Sequence, residues 1–523
     1  MFRFQLRRAV AAALCCLTLS LTAFSAGPRL SMSYLYYTGG DSAAVASAEG
    51  ALNEVSPAWF ELTADGSLKV SSAASRTFVN EMHAQGIRVV PFLSNHWDRE
   101  VGAAALRNAD TLTDQLARAV TQYNLDGVSL DLENMTKDHA AAYTNLTAML
   151  RRKLPKGKTI AVAVAANPRN FTTGWHASYD YKGLAQHADY LMVMAYDEHY
   201  RGSEPGAVAG LDFVENSIRY ALRYAEPEQI VLGVPFYGRI WGDGNAKVNG
   251  VGISEKQTRE LVRRYGGTVT YDKTAGTAVA RFTVNDGGVT VAGIPLQKGK
   301  YTVYYADETA KKEILRLVNE YDLRGTGSWS LGQETGEVWD YYSLWLNGCY
   351  FEDLQGHWAR NYVVEVSSWD VVNGVSETSF APDRTLTRAQ AAALLVRLLD
   401  LPTGGETPFS DTKGHWASAE IAAAARAGLV EGVGEGLFAP NSSVTREQLA
   451  VLLFRAARYR GDDTGKRSSL TAFSDGTTAS SWAREALSWA VAMGLMEGSG
   501  GMLPPRAHAT RAQTTAILCR MGK

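Results

Sequence analysis

The sequence predicts an α/β fold: a (β/α)8 barrel with a small α+β insertion, followed by an all-α unit of three repeats. Two observations carry the prediction. Eight short runs rich in β-branched and aromatic residues alternate with helical patterns over about 300 residues. After residue 350 one motif recurs three times, each copy opening an Ala- and Leu-rich helix. At 523 residues the chain is too long for one compact core, and 46% hydrophobic with 20% charged residues is ordinary for globular protein. A net charge of −2 argues against a nucleic-acid partner and against strong attraction to anionic membranes.

The chain starts with MFRFQLRR, the apolar run AVAAALCCLTLSLTAF and the small-residue stretch FSAGP, a secretory signal peptide over residues 1–26. No later segment reaches about 18 uninterrupted apolar residues, so no transmembrane helix is expected. Cys15 and Cys16 fall inside the signal, leaving Cys349 and Cys519, which are expected to be inert thiols rather than a disulfide framework. The histidines show no metal-ligand spacing and no Gly-rich phosphate loop occurs, so neither a metal nor a cofactor is expected.

Residues 30–346 form the predicted barrel. Its strands are SYLYY (33–37), AWFEL (58–62), IRVVPFL (87–93), DGVSLDL (126–132), TIAVAVAA (159–166), YLMVMAY (190–196), IVLGVPF (230–236) and GTGSW (325–329). Between them DTLTDQLARAVTQYN places Leu112, Leu116, Ala119, Val120 and Tyr123 on one helical face. TVTYD, ARFTV and YTVYY break the rhythm and mark an insertion at about 243–305, between the seventh and eighth strands.

In such a barrel, function sits at the carboxyl ends of the strands. LDGVSLDLENM (125–135) puts Asp131 and Glu133 there. Side chains alternate along a strand, so Ser129, Asp131 and Glu133 share the face that points into the barrel. A charged carboxylate costs several kcal/mol to bury unless something compensates it, and an active site at the strand end explains the placement.

The repeats span 350–401, 408–461 and 472–523. They open with FEDLQGHWA, FSDTKGHWA and FSDGTTASSWA and continue to LTRAQ (386–390), VTREQ (444–448) and ATRAQ (509–513). Thr-x-x-Gln reads as a capping box. Arg388, Arg446 and Arg511 stand in the first turn of a helix, where a cation opposes the helix dipole. That placement points to an anionic ligand, with a solvated face as the alternative.

DGVSLDLE, MAYDE (194–198), GVPFYGR (233–239) and GSWSLG (327–332) resemble, in order, the signature segments of glycoside hydrolase family 18. LDLENM, MAYDEH and SPAWFEL are most similar to its spore-germination and cortex-lytic branch, which cleaves next to N-acetylglucosamine in peptidoglycan. The resemblance implies substrate-assisted retaining catalysis, in which the sugar's 2-acetamido oxygen attacks its own anomeric carbon to give an oxazoline. Glu133 would be the acid and later the base, and Asp131 would orient the acetamido group. The Tyr196 hydroxyl would bind the acetamido oxygen, and Asp197 would hold the sugar or position Glu133. Trp329 would floor the acetamido methyl, although Tyr196 and Trp329 also fit as barrel-core aromatics.

Tyr237 and Arg239 fit as sugar contacts, Arg239 equally as half of a structural ion pair. Asn95 and His96, ending the third strand, are candidates to line the cleft. Ser129 stands where the family commonly has a third aspartate, so Asp131 is expected to stay ionised to lower pH. A chitinase and a catalytically silent glycan-binding barrel are the competing readings.

The repeats resemble S-layer homology domains. The resemblance implies attachment to an anionic secondary cell-wall polysaccharide of a Gram-positive-type envelope, with Trp358, Trp416, Arg388, Arg446 and Arg511 as ligand residues. Helix packing is the alternative for the tryptophans. The third repeat departs most, lacking the His before Trp482 and carrying Pro504-Pro505.

Overall fold

The structure, a computed structural model, describes residues 27–36 and 41–522; the predicted signal peptide lies outside the described residues. Eight staves close a barrel. They are β1 (Leu30–Leu35), β2 (Glu54–Pro57), β3 (Arg88–Val89, resuming as Phe92–Ser94), β4 (Gly127–Asp131), β5 (Thr159–Ala165), β6 (Tyr190–Met194), β7 (Ile230–Pro235) and β8 (Gly325–Trp329). Each pairs in parallel with the next, and β8 returns to β1 through Leu30 opposite Gly325. β3 is interrupted at Pro91, which has no N–H to give to a ladder. The ring stays closed there because Val90 N donates to Val55 O and Ser129 N to Pro91 O.

One stave differs from the sequence expectation. The second is Glu54–Pro57, not AWFEL. Phe60–Leu62 instead forms a hairpin with Leu68–Val70 and lies beside Phe92–Ser94. EVSP has neither an apolar run nor β-branched enrichment, yet all four residues are buried, Glu54 completely. Its carboxylate is held by the Tyr190 hydroxyl and by Arg88 at 3.5 Å.

Met32, Tyr34, Phe92, Tyr190, Met192 and Val231 fill the barrel interior. Helices cover the outside; in Ala109–Tyr123 the side chains of Leu112, Leu116, Ala119 and Val120 are buried against it. Gly127 lets β4 and β5 approach, since a Cβ there would fall 2.1 Å from Thr159 O.

Immediately after β7 the chain leaves the barrel. Tyr237–Gly242, Asn249–Ser254, Thr268–Asp272, Thr277–Val284 and Gly299–Tyr305 form a five-stranded antiparallel sheet with helix Glu255–Tyr265 on it. Ile240, Val251, Phe282 and Val303 belong to its own core. The sheet begins at Tyr237, six residues before the expected boundary at 243, because GVPFYGR runs from β7 straight into the first strand of the second sheet.

Each repeat contributes two helices: Arg360–Ser368 and Arg388–Leu398, Ser418–Arg426 and Arg446–Arg460, Arg484–Ala492 and Arg511–Met521. Capping boxes start the second of each pair, at Thr387/Gln390, Thr445/Gln448 and Thr510/Gln513. The apolar core runs on from the barrel through Leu344, Cys349 and Phe351 into the repeats. Arg360 pairs with Glu49 across that junction, and Asn361 Nδ2 donates to Glu49 O at 2.7 Å. Cys349 and Cys519 are free thiols, each pushed up to about 11 by burial. Among the described residues no helix is long and apolar enough to cross a membrane.

Candidate active site

Asp131 ends β4 in register with Ser94 of β3 and is 6% exposed. Ser129, two residues earlier on the same face, is fully buried, and among the described residues Asp131 Oδ1 has no hydrogen-bond partner. A carboxylate oxygen buried without a donor favours the protonated form. Burial accordingly pushes Asp131 up to about 7. Glu133 is pushed well above the usual carboxylate range, by burial first and then by the charges of Asp131 and Asp197.

Three buried side chains hold the backbone on which these acids stand. Asn95 Oδ1 accepts from Glu133 N at 2.8 Å, while its Nδ2 donates to Glu133 O at 2.9 Å and to Asp98 O at 2.8 Å. At 2% exposure Asn95 is a clamp on Glu133. That corrects its reading as a sugar contact, since all its polar atoms are already engaged. Tyr143 bonds Leu130 O at 3.3 Å, and Tyr179 donates to Leu132 O at 3.2 Å. Neither tyrosine stood out in the sequence, because each braces backbone rather than touching another motif.

Asp197 follows β6 at φ +59°, a left-handed conformation that Asp tolerates better than most residues. Arg239 clasps it with two bonds of 2.8 and 2.7 Å, and the Tyr237 hydroxyl donates to it at 2.6 Å. Of the two readings for Arg239, the ion pair is the one formed. Tyr196 is half-buried, its ring 6.2 Å from that of Tyr237. Trp329 packs between Tyr34 at 5.1 Å and Tyr36 at 5.2 Å, at the edge of the barrel-interior cluster. The fold thus brings Asp131, Glu133, Tyr196, Asp197, Tyr237 and Trp329 to the carboxyl ends of β4, β6, β7 and β8.

His96 is exposed, and its backbone N–H donates to Ser94 Oγ at 2.9 Å. The neighbouring Trp97 went unnoticed in the sequence. It is 48% exposed, and its carbonyl accepts from Asn134 Nδ2 at 2.9 Å, one residue beyond Glu133. Its ring lies edge-on to Trp175 at 5.1 Å, and Trp175 meets His176 at 4.5 Å. The aromatic cluster beside the acids was hidden because its members lie on different loops.

In the repeats Trp358, Trp416 and Trp482 are 54%, 60% and 57% exposed, which removes the helix-packing alternative. The arginines are not on a solvated face. Arg388 donates to Phe438 O and Glu431 O, Arg446 to Leu503 O and Glu497 O, and Arg511 to Phe380 O and Asn373 O. Each therefore fastens its own repeat to the next, and the third closes back onto the first.

A closed eight-stranded barrel with a buried aspartate and a half-buried glutamate at its carboxyl rim, followed by repeats with exposed tryptophans, defines a barrel of glycosidase type with an appended repeat unit. Residues 85–334 match glycosyl hydrolases family 18, and residues 350–392, 408–450 and 472–515 match the S-layer homology domain. The barrel is thus a family 18 glycosyl hydrolase domain followed by three S-layer homology domains. Among curated relatives, the uncharacterized glycosylase YvbX of Bacillus subtilis is 25% identical over 232 residues, 43% of this chain and 63% of that protein. A cortical fragment-lytic enzyme of Bacillus anthracis is 22% identical over 294 residues, 54% of this chain and 65% of that protein. The chain thus spans just under two thirds of these two relatives. A chitinase from Chromobacterium violaceum superposes with a TM-score of 0.53 at 24% identity, covering 61% of this chain and 98% of that one, a likeness of fold.

Proposed function

We propose that this chain is an exported, wall-attached glycosidase that hydrolyses N-acetylglucosamine linkages of peptidoglycan with retention, through an oxazoline intermediate. The observation that carries the reading is the acidic pair at the end of β4, Asp131 buried and Glu133 half-buried just beyond it. There Glu133 is kept in its acid form by burial and by the charges of Asp131 and Asp197.

Glu133 gives its proton to the leaving glycosidic oxygen, which departs with the bonding electrons. The acetamido oxygen of the same sugar attacks the anomeric carbon, and Asp131, ionised at this point, accepts the acetamido N–H and offsets its developing positive charge. The Tyr196 hydroxyl meets the acetamido oxygen, and Trp329 supplies the floor beneath the methyl. Glu133, now a carboxylate, takes a proton from water, which opens the oxazoline. Asp197, clasped by Arg239 and Tyr237, stays in place through both steps.

The relative described as a cortical fragment-lytic enzyme supports peptidoglycan as the substrate. The three S-layer homology domains support attachment to an anionic wall polysaccharide, with Trp358 and Trp416 as stacking surfaces and Arg388, Arg446 and Arg511 supplying positive charge beside them. A thiazoline analogue of the oxazoline tests the mechanism. Competitive inhibition is expected, and failure to inhibit an active enzyme excludes the substrate-assisted route. Cleavage of chitin oligomers without cleavage of sacculi would move the substrate to chitin.

A further inference from the structure

Glu133 opens a turn whose backbone is held in an uncommon conformation. Asn134, the next residue, has φ +58°, and His96 and Trp97 in the facing loop have +48° and +65°. Left-handed backbone away from glycine persists only where neighbouring groups fix it. At Asn134 the side chain is engaged at both ends. Its Nδ2 donates to Trp97 O at 2.9 Å, and its Oδ1 accepts from Arg99 Nη2 at 2.9 Å. Arg99 Nε also donates to Asn134 O at 2.8 Å. One planar guanidinium therefore grips both the carbonyl and the side chain of the residue that follows the acid.

The element that carries Arg99 is itself fitted to this turn. Arg99 begins helix Arg99–Arg107, whose N-cap Asp98 accepts from Glu100 N and Val101 N. One turn on, Gly102 lets the helix lie close, since a Cβ there would fall 2.6 Å from Met135 Sδ and 2.9 Å from Asn95 Nδ2. Met135 is fully buried, and Asn95 Nδ2 is the donor that holds Glu133 O. The start of the helix thus meets residues 133–135 from the buried side through Asn95 and from the solvent side through Arg99. Arg99 is exposed, and exposed polar contacts add little to stability, so its grip matters for where the turn stands rather than for whether the chain folds.

We propose that Arg99 is a positioning residue for the acid, forming with Asn134 a latch that fixes where the Glu133 carboxyl stands. The assignment rests on the glycosidase reading above and deepens it by naming a surface arginine that acts on the acid without touching the sugar.

The test uses the full chain acting on soluble glycan strands freed from sacculi by an amidase, with kcat and KM taken from reducing ends and a melting curve for each variant. Arg99→Ala is expected to lower kcat about tenfold with KM within about twofold of wild type, because a displaced acid binds substrate but transfers its proton poorly. Asn134→Gly keeps a residue that adopts φ +58° freely while removing both side-chain bonds, and is expected to lose at least as much kcat. The double variant should stay within about twofold of Asn134→Gly alone, whereas independent losses would compound to about 100-fold. Melting curves should match wild type. With wild type active, kcat per folded Arg99→Ala molecule within about twofold of wild type overturns the latch, as do losses that compound in the double variant. A raised KM with intact kcat makes Arg99 a sugar contact and overturns it too. Wild type failing to cleave the strands overturns the glycosidase reading and the latch with it.

Discussion

Replacing Asp131 by Asn keeps the shape of the side chain and removes its titrating proton. In the folded protein burial holds this carboxyl at about 7, against an ordinary value of 3.8. Between those values the native state binds a proton that the unfolded chain has released, so stability falls as pH rises through the window. The gap of about 3 pH units, at 1.36 kcal/mol each, is about 4 kcal/mol. Wild type should lose about that much stability between about pH 4 and pH 8 through Asp131, and Asp131→Asn should not. Glu133 is raised in the same direction and adds a loss of its own in both proteins. The assay is urea unfolding of the full chain, variant beside wild type, by far-UV circular dichroism at both pH values. If the stability difference between variant and wild type changes by less than about 1 kcal/mol across that range, Asp131 is not held protonated by burial and the reasoning fails.

Asn95→Ala removes the clamp on Glu133. It should lower kcat about tenfold or more with KM unchanged within about twofold, and cost about 2–4 kcal/mol of stability from the backbone groups left unpaired. A raised KM with intact kcat would restore Asn95 as a sugar contact. Arg511→Met removes both bonds that close the third repeat onto the first, and should destabilise the repeat unit by about 2–4 kcal/mol. Arg511→Lys should recover less than half of that loss, because one ammonium does not span two carbonyls as a planar fork does. Loss of wall binding in Arg511→Met with unchanged melting would mean that the arginine serves the ligand alone.

The catalytic strand was legible because its chemistry is local: DGVSLDLE places two acids on one face within three residues, and β4 ends at Asp131. The capping boxes were legible for the same reason. EVSP escaped notice because a strand filled by Glu54 and closed by Pro57 carries no apolar periodicity. The role of Asn95 depends on Glu133, 38 residues away, and that of Arg511 on Asn373, 138 residues away. No spacing rule reaches such partners. The upward shift of Asp131 was not legible, because the sequence shows which charges neighbour a group but not how much water it loses on folding.

The central claim is that Glu133 is the acid of a glycosidase acting next to N-acetylglucosamine. The most direct test is release of reducing ends from purified sacculi by the full chain and by Glu133→Gln, with borohydride reduction identifying each newly exposed sugar. Wild type should expose N-acetylglucosamine ends, and Glu133→Gln, which keeps the shape but lacks the transferable proton, should be slower by about 100-fold or more. Exposure of muramic acid ends, or activity of Glu133→Gln within tenfold of wild type, would contradict the account.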